Sequence, residues 1–274
     1  MTQGEKADLF RHQHASSKPL LLPNPWDAGT AKILAALGFE ALTTTSAGLA
    51  WTLGRTDGTR SVTRDEALAN AKSIVDAVSL PVAADLENGY GDDPQTVAET
   101  IGLAAKAGLV GASIEDATGD PHHRIYDFDA AVERVAAAAR AARSLPFSFM
   151  LVARAENHIQ GIDDLDDTVR RLQAYEGAGA DVLYAPLLPN VEAIKRVCAA
   201  VNKPVNVLAA GPVLSMSVGE LAALGVSRVS VGSGFSRVAF SSFIGAAREV
   251  LEAGRFDSIR SSKTFQEISA LIAG

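Results

Sequence analysis

Short apolar or β-branched runs recur along the chain at residues 20–22, 41–45, 82–85, 112–115, 149–153, 182–185, 205–209 and 228–231. Most are unbroken rather than alternating, which is the pattern of parallel strands covered on both faces. Between them, apolar positions recur at helical spacing over 28–37, 64–78, 94–107, 128–143, 165–178, 191–201, 218–224 and 235–253. A strand followed by a helix, eight times over, predicts βαβ units. The punctuation agrees. Gly38, Gly108, Gly179 and Gly225 stand where helices would end in a left-handed cap, and Asp93-Pro94 reads as an N-cap followed by proline in the first turn. No low-complexity linker divides the chain, so residues 1–274 are expected to form a single α/β domain, a (β/α)8 TIM-type barrel. Beyond the eighth unit, residues 256–272 have the spacing of an extra amphipathic C-terminal helix, expected to pack on a partner subunit.

Composition narrows the class. The 274 residues are 47% hydrophobic and 21% charged, which excludes a disordered chain, and a barrel of about 250 residues is an ordinary size for one domain. Lys and Arg number 25 against 32 Asp and Glu, and this net charge of −7 with no basic run argues against nucleic-acid binding. One cysteine excludes a disulfide scaffold or a cysteine-built zinc site. The N-terminus lacks an apolar signal core and no run of about 18 apolar residues occurs, so a cytoplasmic protein without membrane partners is expected.

In such a barrel the chemistry sits at the C-terminal strand ends. Those ends carry Asn24, Trp26 and Asp27, then Thr45-Ser46-Ala47-Gly48, Asp85-Leu86-Glu87, Glu115-Asp116, Arg154 with Glu156, Asn157 and His158, and Asn206. On an extended segment Asp85 and Glu87, two apart, point to one side. Glu115 on the next strand and Asp57 on the loop after the second strand join them. Clustered unpaired carboxylates repel and lose hydration, a cost of several kcal/mol per ion that a divalent cation removes. An all-oxygen set suits Mg²⁺, or Mn²⁺, better than zinc; surface salt bridges and caps are the plainer alternative. Arg154 either holds a substrate carboxylate or neutralises Glu115 or Glu156. The Thr45–Gly48 segment offers backbone N–H groups to an anion, or is only a tight turn. Val231-Gly232-Ser233-Gly234 reads better as a packed strand-to-helix turn than as a phosphate cradle. Cys198 reads as core.

These residues resemble the isocitrate lyase/phosphoenolpyruvate mutase superfamily. The resemblance spans about residues 18–250 and rests on five segments in order. They are Pro23-Asn24-Pro25-Trp26-Asp27-Ala28; Thr44-Thr45-Ser46-Ala47-Gly48 with Leu53-Gly54-Arg55-Thr56-Asp57; Ala84-Asp85-Leu86-Glu87-Asn88-Gly89-Tyr90-Gly91; Ser113-Ile114-Glu115-Asp116; and Ala153-Arg154-Ala155-Glu156-Asn157. The family's metal motif usually reads Asp-x-Asp, and Glu87 departs from it by one methylene. The resemblance implies a Mg²⁺-dependent barrel acting on small 2-oxo acids, a homo-oligomer (tetramer or dimer) with an end helix exchanged between subunits. It implies metal ligation by Asp57, Asp85, Glu87 and Glu115, and catalytic parts for Asp57, Glu115 and Arg154. Substrate contacts would come from Trp26, Thr45, Ser46, Ala47, Arg154, Asn157 and Asn206. Mg²⁺ would polarise the ketone and stabilise an enolate of pyruvate type.

The subfamily is less marked. The Lys-Lys/Arg-Cys-Gly-His loop of the isocitrate and 2-methylisocitrate lyases is replaced by Ala117-Thr118-Gly119-Asp120-Pro121-His122-His123-Arg124, and the mutases' Lys-x-Asn sequence is missing too. His122 and His123 are candidate proton donors there, or simply solvated. The leading expectation is a carbon–carbon lyase or decarboxylase acting on a small 2-oxo or 2-hydroxy di- or tricarboxylic acid. Phosphonopyruvate chemistry and a non-catalytic 2-oxo acid binder are the alternatives.

Overall fold

The computed structural model describes residues 1–16 and 18–273. Eight parallel strands form one sheet: β1 (Leu20–Leu22), β2 (Leu42–Thr43), β3 (Val82–Asp85), β4 (Gly111–Glu115), β7 (Met150–Arg154), β8 (Val182–Tyr184), β9 (Val205–Leu208) and β10 (Arg228–Ser230). Their order is β1-β10-β9-β8-β7-β4-β3-β2, so each strand adds beside its predecessor and the ends of the sheet meet. At that meeting the Thr43 N–H donates to the Pro23 carbonyl at 3.1 Å. Asn24 reinforces the seam: its Nδ2 donates to the Thr44 carbonyl at 2.8 Å, and its Oδ1 accepts from the Val231 and Gly232 N–H groups at 2.9 and 2.8 Å. The barrel expectation holds.

Seven helices follow strands on the outside: α2 (Ala28–Ala36), α4 (Arg64–Ala77), α5 (Pro94–Lys106), α6 (Phe128–Arg143), α7 (Leu165–Ala178), α8 (Val191–Ala200) and α9 (Val218–Ala223). Asp93 caps α5 through the Gln95 and Thr96 N–H groups, and all four predicted glycine caps have positive φ, from 92° to 105°. Leu34, Ile74, Ile101, Leu151, Tyr175 and Ile194 belong to the core between helices and sheet. Cys198 packs against that core, where burial pushes its thiol up to about 11.

Four features depart from the sequence reading. A helix, α1 (Gln3–His14), precedes the barrel and closes its lower end, with Ala7 and Phe10 joining Leu22, Val110, Met150 and Val182 in an interior core. It is docked by the Gln3 Nε2, which donates to the Ala105 and Leu109 carbonyls. The Thr45–Gly48 segment starts a helix, α3 (Ser46–Thr52), because the Thr45 hydroxyl caps it by accepting from the Gly48 N–H. The loop after β4 is a hairpin of β5 (Ala117–Asp120) and β6 (His123–Ile125). The end of the chain is not one helix but two, α11 (Asp257–Arg260) and α12 (Phe265–Ala273), after α10 (Gly234–Arg248) and a π-turn at Glu249–Ala253. Val238, Phe243, Leu251, Phe256 and Phe265 lie exposed along this segment, and Ser236 is the residue of α10 that is buried.

Candidate active site

The mouth is organised around one guanidinium. Arg154 ends β7, beside Glu115 at the end of β4 and Tyr184 at the end of β8. Its Nη1 donates to Asp85 Oδ1 at 3.0 Å and its Nε to Glu156 Oε1 at 2.9 Å, while Nη2 lies 3.1 Å from Glu115 Oε2. The two readings of Arg154 are thereby joined: it neutralises Glu115 and Glu156, and Asp85 as well. Three of its five N–H groups are committed, and the side chain keeps 11% exposure. Burial works against its charge, but Glu115, Glu156 and Asp85 together hold it protonated well above the ordinary range.

Acid outnumbers base here. Burial pushes the Glu87 carboxyl up to about 7, with Asp85 and Asp57 adding repulsion. Burial and then Asp85 likewise raise Asp57. Burial drives Glu115 far above the carboxylate range, although Arg154 pulls it back, and burial lifts Glu156 to about 7. Asp85 is further fixed by Ser46, whose Oγ donates to Oδ2 at 3.1 Å. Glu87 reaches this group by a route the sequence reading did not foresee. It is not on an extended segment: its φ is +46°, and the fully buried Leu86 turns the chain between the two acids. The donor set is entirely carboxylate oxygen, mutually repelling and half-buried, which fits a hard divalent cation. Among the described residues no three acids or histidines stand at chelating distance. The fit is therefore to a cation held by one or two carboxylates with water in its other positions, the habit of Mg²⁺.

Two cavities meet the cluster. One, of about 130 Å³, lies inside the barrel and is lined by Thr45, Ser46, Ala47, Asp85, Arg154 and Arg228, among others. The other, of about 510 Å³, lies outside it, with Glu87, Glu115, Arg60, Arg124, Thr118 and Gln160 in its wall. Several expected site residues lie elsewhere. Trp26 lines neither cavity; its carbonyl, just before α2, accepts from the Asn70 amide of α4. Asn157 is buried against α7, its Nδ2 donating to Asp167 Oδ2 at 2.9 Å, while its Oδ1 has no partner among the described residues. His122 and His123 are exposed at the hairpin turn and line neither cavity, and the His123 ring stands 3.5 Å from Asp127. Asn206 is buried in the interior, donating to Ser230 Oγ at 3.0 Å. The Gly232 N–H is taken by Asn24, and a Cβ on Gly232 would meet Leu208 Cδ1 at 2.8 Å, which supports packing over a phosphate cradle. Tyr184, Ser113 and Arg228 line the inner cavity without having been singled out from sequence. The available signal was a charge or hydroxyl inside an otherwise apolar strand.

Fold and site together define a (β/α)8 barrel with an acidic mouth. The chain belongs to the isocitrate lyase/phosphoenolpyruvate mutase superfamily: the family model described as phosphoenolpyruvate phosphomutase matches residues 10–251. It is 30% identical over 203 residues to 2-methylisocitrate lyase of Escherichia coli (strain K12), covering 72% of this chain and 67% of that one. It is 29% identical over 196 residues to 2,3-dimethylmalate lyase of Eubacterium barkeri, covering 70% and 66%. A solved structure from Burkholderia cenocepacia J2315, provisionally described as a lyase/mutase, matches with 51% identity and a TM-score of 0.95 over 99% of this chain and 97% of that one. Among the described residues no helix is long and apolar enough to cross a membrane.

Proposed function

We propose that the chain is a Mg²⁺-dependent carbon–carbon lyase or decarboxylase of small 2-oxo or 2-hydroxy di- or tricarboxylic acids. The observation that carries this reading is the pair of cavities on either side of the acid cluster. The inner one is sized for a two- or three-carbon 2-oxo acid end, and the outer one leaves room for the departing fragment. Arg60 and Arg124 in the outer wall supply charge complementary to further carboxylates on that fragment. The relatives named 2-methylisocitrate lyase and 2,3-dimethylmalate lyase support the same class.

Asp85, with Asp57, Glu87 and Glu115 around it, would hold the cation, which when bound supplies positive charge to the oxygen of the 2-oxo group. The chain's own residues do the positioning. Arg154 has two uncommitted N–H groups for a substrate carboxylate, and its three carboxylate partners fix its plane. Thr45, Ser46 and Ala47 form the facing wall, held rigid by the α3 cap and by the Ser46–Asp85 bond. The β5–β6 hairpin contributes Thr118 and Pro121 to the wall of the outer cavity. We further propose that the chain works as a homo-oligomer, the apolar side chains exposed along α10–α12 being covered by a second copy.

Purified protein given Mg²⁺ and a panel of oxaloacetate, 2-methylisocitrate and 2,3-dimethylmalate tests this. Turnover above an Asp85→Ala control supports the reading, and its absence across the panel overturns it. The phosphomutase family model keeps phosphorus chemistry as a second reading. A shifted phosphorus resonance in phosphonopyruvate incubations would select it.

A further inference from the structure

One row of polar side chains crosses five neighbouring strands. In the strand register Glu115 stands beside Arg154, Arg154 beside Tyr184, Tyr184 beside Asn206, and Asn206 beside Arg228. Because barrel strands tilt, the row descends. Glu115 is the last residue of β4, at the mouth, and Arg228 is the first of β10, near the floor. The two arginines therefore bracket the inner cavity from above and below, and both line it.

Their surroundings differ in charge. Arg154 has three carboxylates. Arg228 is 3% exposed, and its Nε and Nη1 have no hydrogen-bond partner among the described residues. The groups that act on its charge are the Tyr184 phenol and the like-charged Arg154, with no carboxylate among them, and burial above all brings its pKa down to about 10. A guanidinium nonetheless stays protonated, so an uncompensated charge sits in the barrel interior, where it costs several kcal/mol. Beside it the Asn206 Oδ1, in a side chain 1% exposed, also lacks a partner.

We propose that the lower end of the inner cavity is an anion subsite in which Arg228 grips a carboxylate or a small solvent anion, below and separate from the Arg154 cluster. A volume of about 130 Å³ admits formate, bicarbonate, bromide or one end of a small acid, but not a sugar phosphate. The proposal concerns binding alone and stands whether or not the mouth carries lyase chemistry.

The full-length chain, stripped of metal, is the material for the test. Melting temperature and calorimetric titration are followed in formate, bicarbonate or bromide against gluconate, an anion too large for the cavity, at constant ionic strength. The small anions should raise the melting temperature of the wild type. In Arg228→Met the rise should vanish and the apparent Kd should weaken by about tenfold or more. In gluconate that variant should be at least as stable as the wild type, since it removes a buried unpaired charge. Bromide-soaked wild-type crystals give a readout that needs no variant: an anomalous peak within hydrogen-bond reach of the Arg228 guanidinium. If oxalate displaces that peak, the occupant is a substrate carboxylate; if the peak persists beside bound oxalate, it is a solvent anion. Equal melting in all anions, an equal rise in Arg228→Met, or only water at Arg228 would overturn the proposal.

Discussion

Glu115 and Asp116 are consecutive acids at the end of β4, and they face opposite sides of the barrel wall. Asp116 points outward to α7, and both of its oxygens are hydrogen-bonded there. Its Oδ2 accepts from Arg171 Nη1 at 3.0 Å and the Tyr175 hydroxyl at 2.6 Å, and its Oδ1 from the Glu156 N–H at 2.8 Å. Arg171 in turn donates to Asp167 Oδ2 at 2.6 Å and to the Tyr126 carbonyl at 3.0 Å. Glu115 points into the mouth, where it shares one guanidinium with Asp85 and Glu156 while Asp57 and Glu87 add further negative charge. A closed, balanced cluster has no use for a ligand. An unbalanced one stores repulsion that a cation or substrate relieves. Charge balance, rather than burial or the number of ion pairs, separates scaffold from site in this barrel.

The hardest way to break the comparison is to unbalance the balanced side. Arg171→Met leaves Asp116 buried without its cation and should cost about 3–5 kcal/mol, read from urea denaturation. Glu115→Gln removes one acid from a surplus whose ionisation burial already disfavours, and should leave stability unchanged or slightly raised. Equal losses from the two substitutions would show that the clusters do not differ in kind. Next in size is Asp85→Ala, which removes the acid bonded to both Arg154 and Ser46. Mg²⁺-dependent turnover should fall by about 100-fold, with the urea midpoint little changed.

A smaller effect belongs to the seam between β1 and β2. Gly232 has φ +56°, and a side chain there would press on Leu208 while disturbing the Asn24 bonds. Gly232→Ala should cost about 1–2 kcal/mol. Gly54→Ala, at φ +68° with open space around it, should cost less.

The eight strands were legible in sequence because burial on both faces writes an unbroken apolar run, and the helices between them because one face packs and the other is wet. The acids of the mouth were legible because strand ends in this architecture carry chemistry. What escaped obeys other rules. Helix α1 plugs the end of the barrel instead of lying along its wall, so few apolar residues, chiefly Ala7 and Phe10, mark it. Helix α3 depends on a single threonine cap. Asn157 and Asp116 sit at strand ends yet face outward, and the side a residue takes just past a strand is set by backbone turns such as the positive φ of Glu87. Arg228 was hidden by its neighbours, since a lone charge in an apolar run reads locally as a strand edge.

The finest distinction between the two ends of the barrel is their response to pH. At the floor, His14 packs its ring edge-on to Phe10 with centroids 4.6 Å apart, and its Nδ1–H donates to the Phe10 carbonyl at 2.8 Å. Burial, and then the Arg228 charge, pulls its pKa from 6.5 to about 4. Between those values the unfolded chain takes up a proton that the folded one refuses, so the unfolded state binds more protons and stability rises with pH. The contribution is complete above about 6.5 and is lost as pH falls through about 4. His14→Gln should flatten the stability profile across that window by a slope approaching one proton, about 1.4 kcal/mol per pH unit, relative to wild type. The two profiles should run parallel above pH 7. A difference confined to alkaline pH, or an unchanged acid slope, would mean that α1 does not seal the histidine against the charge of Arg228.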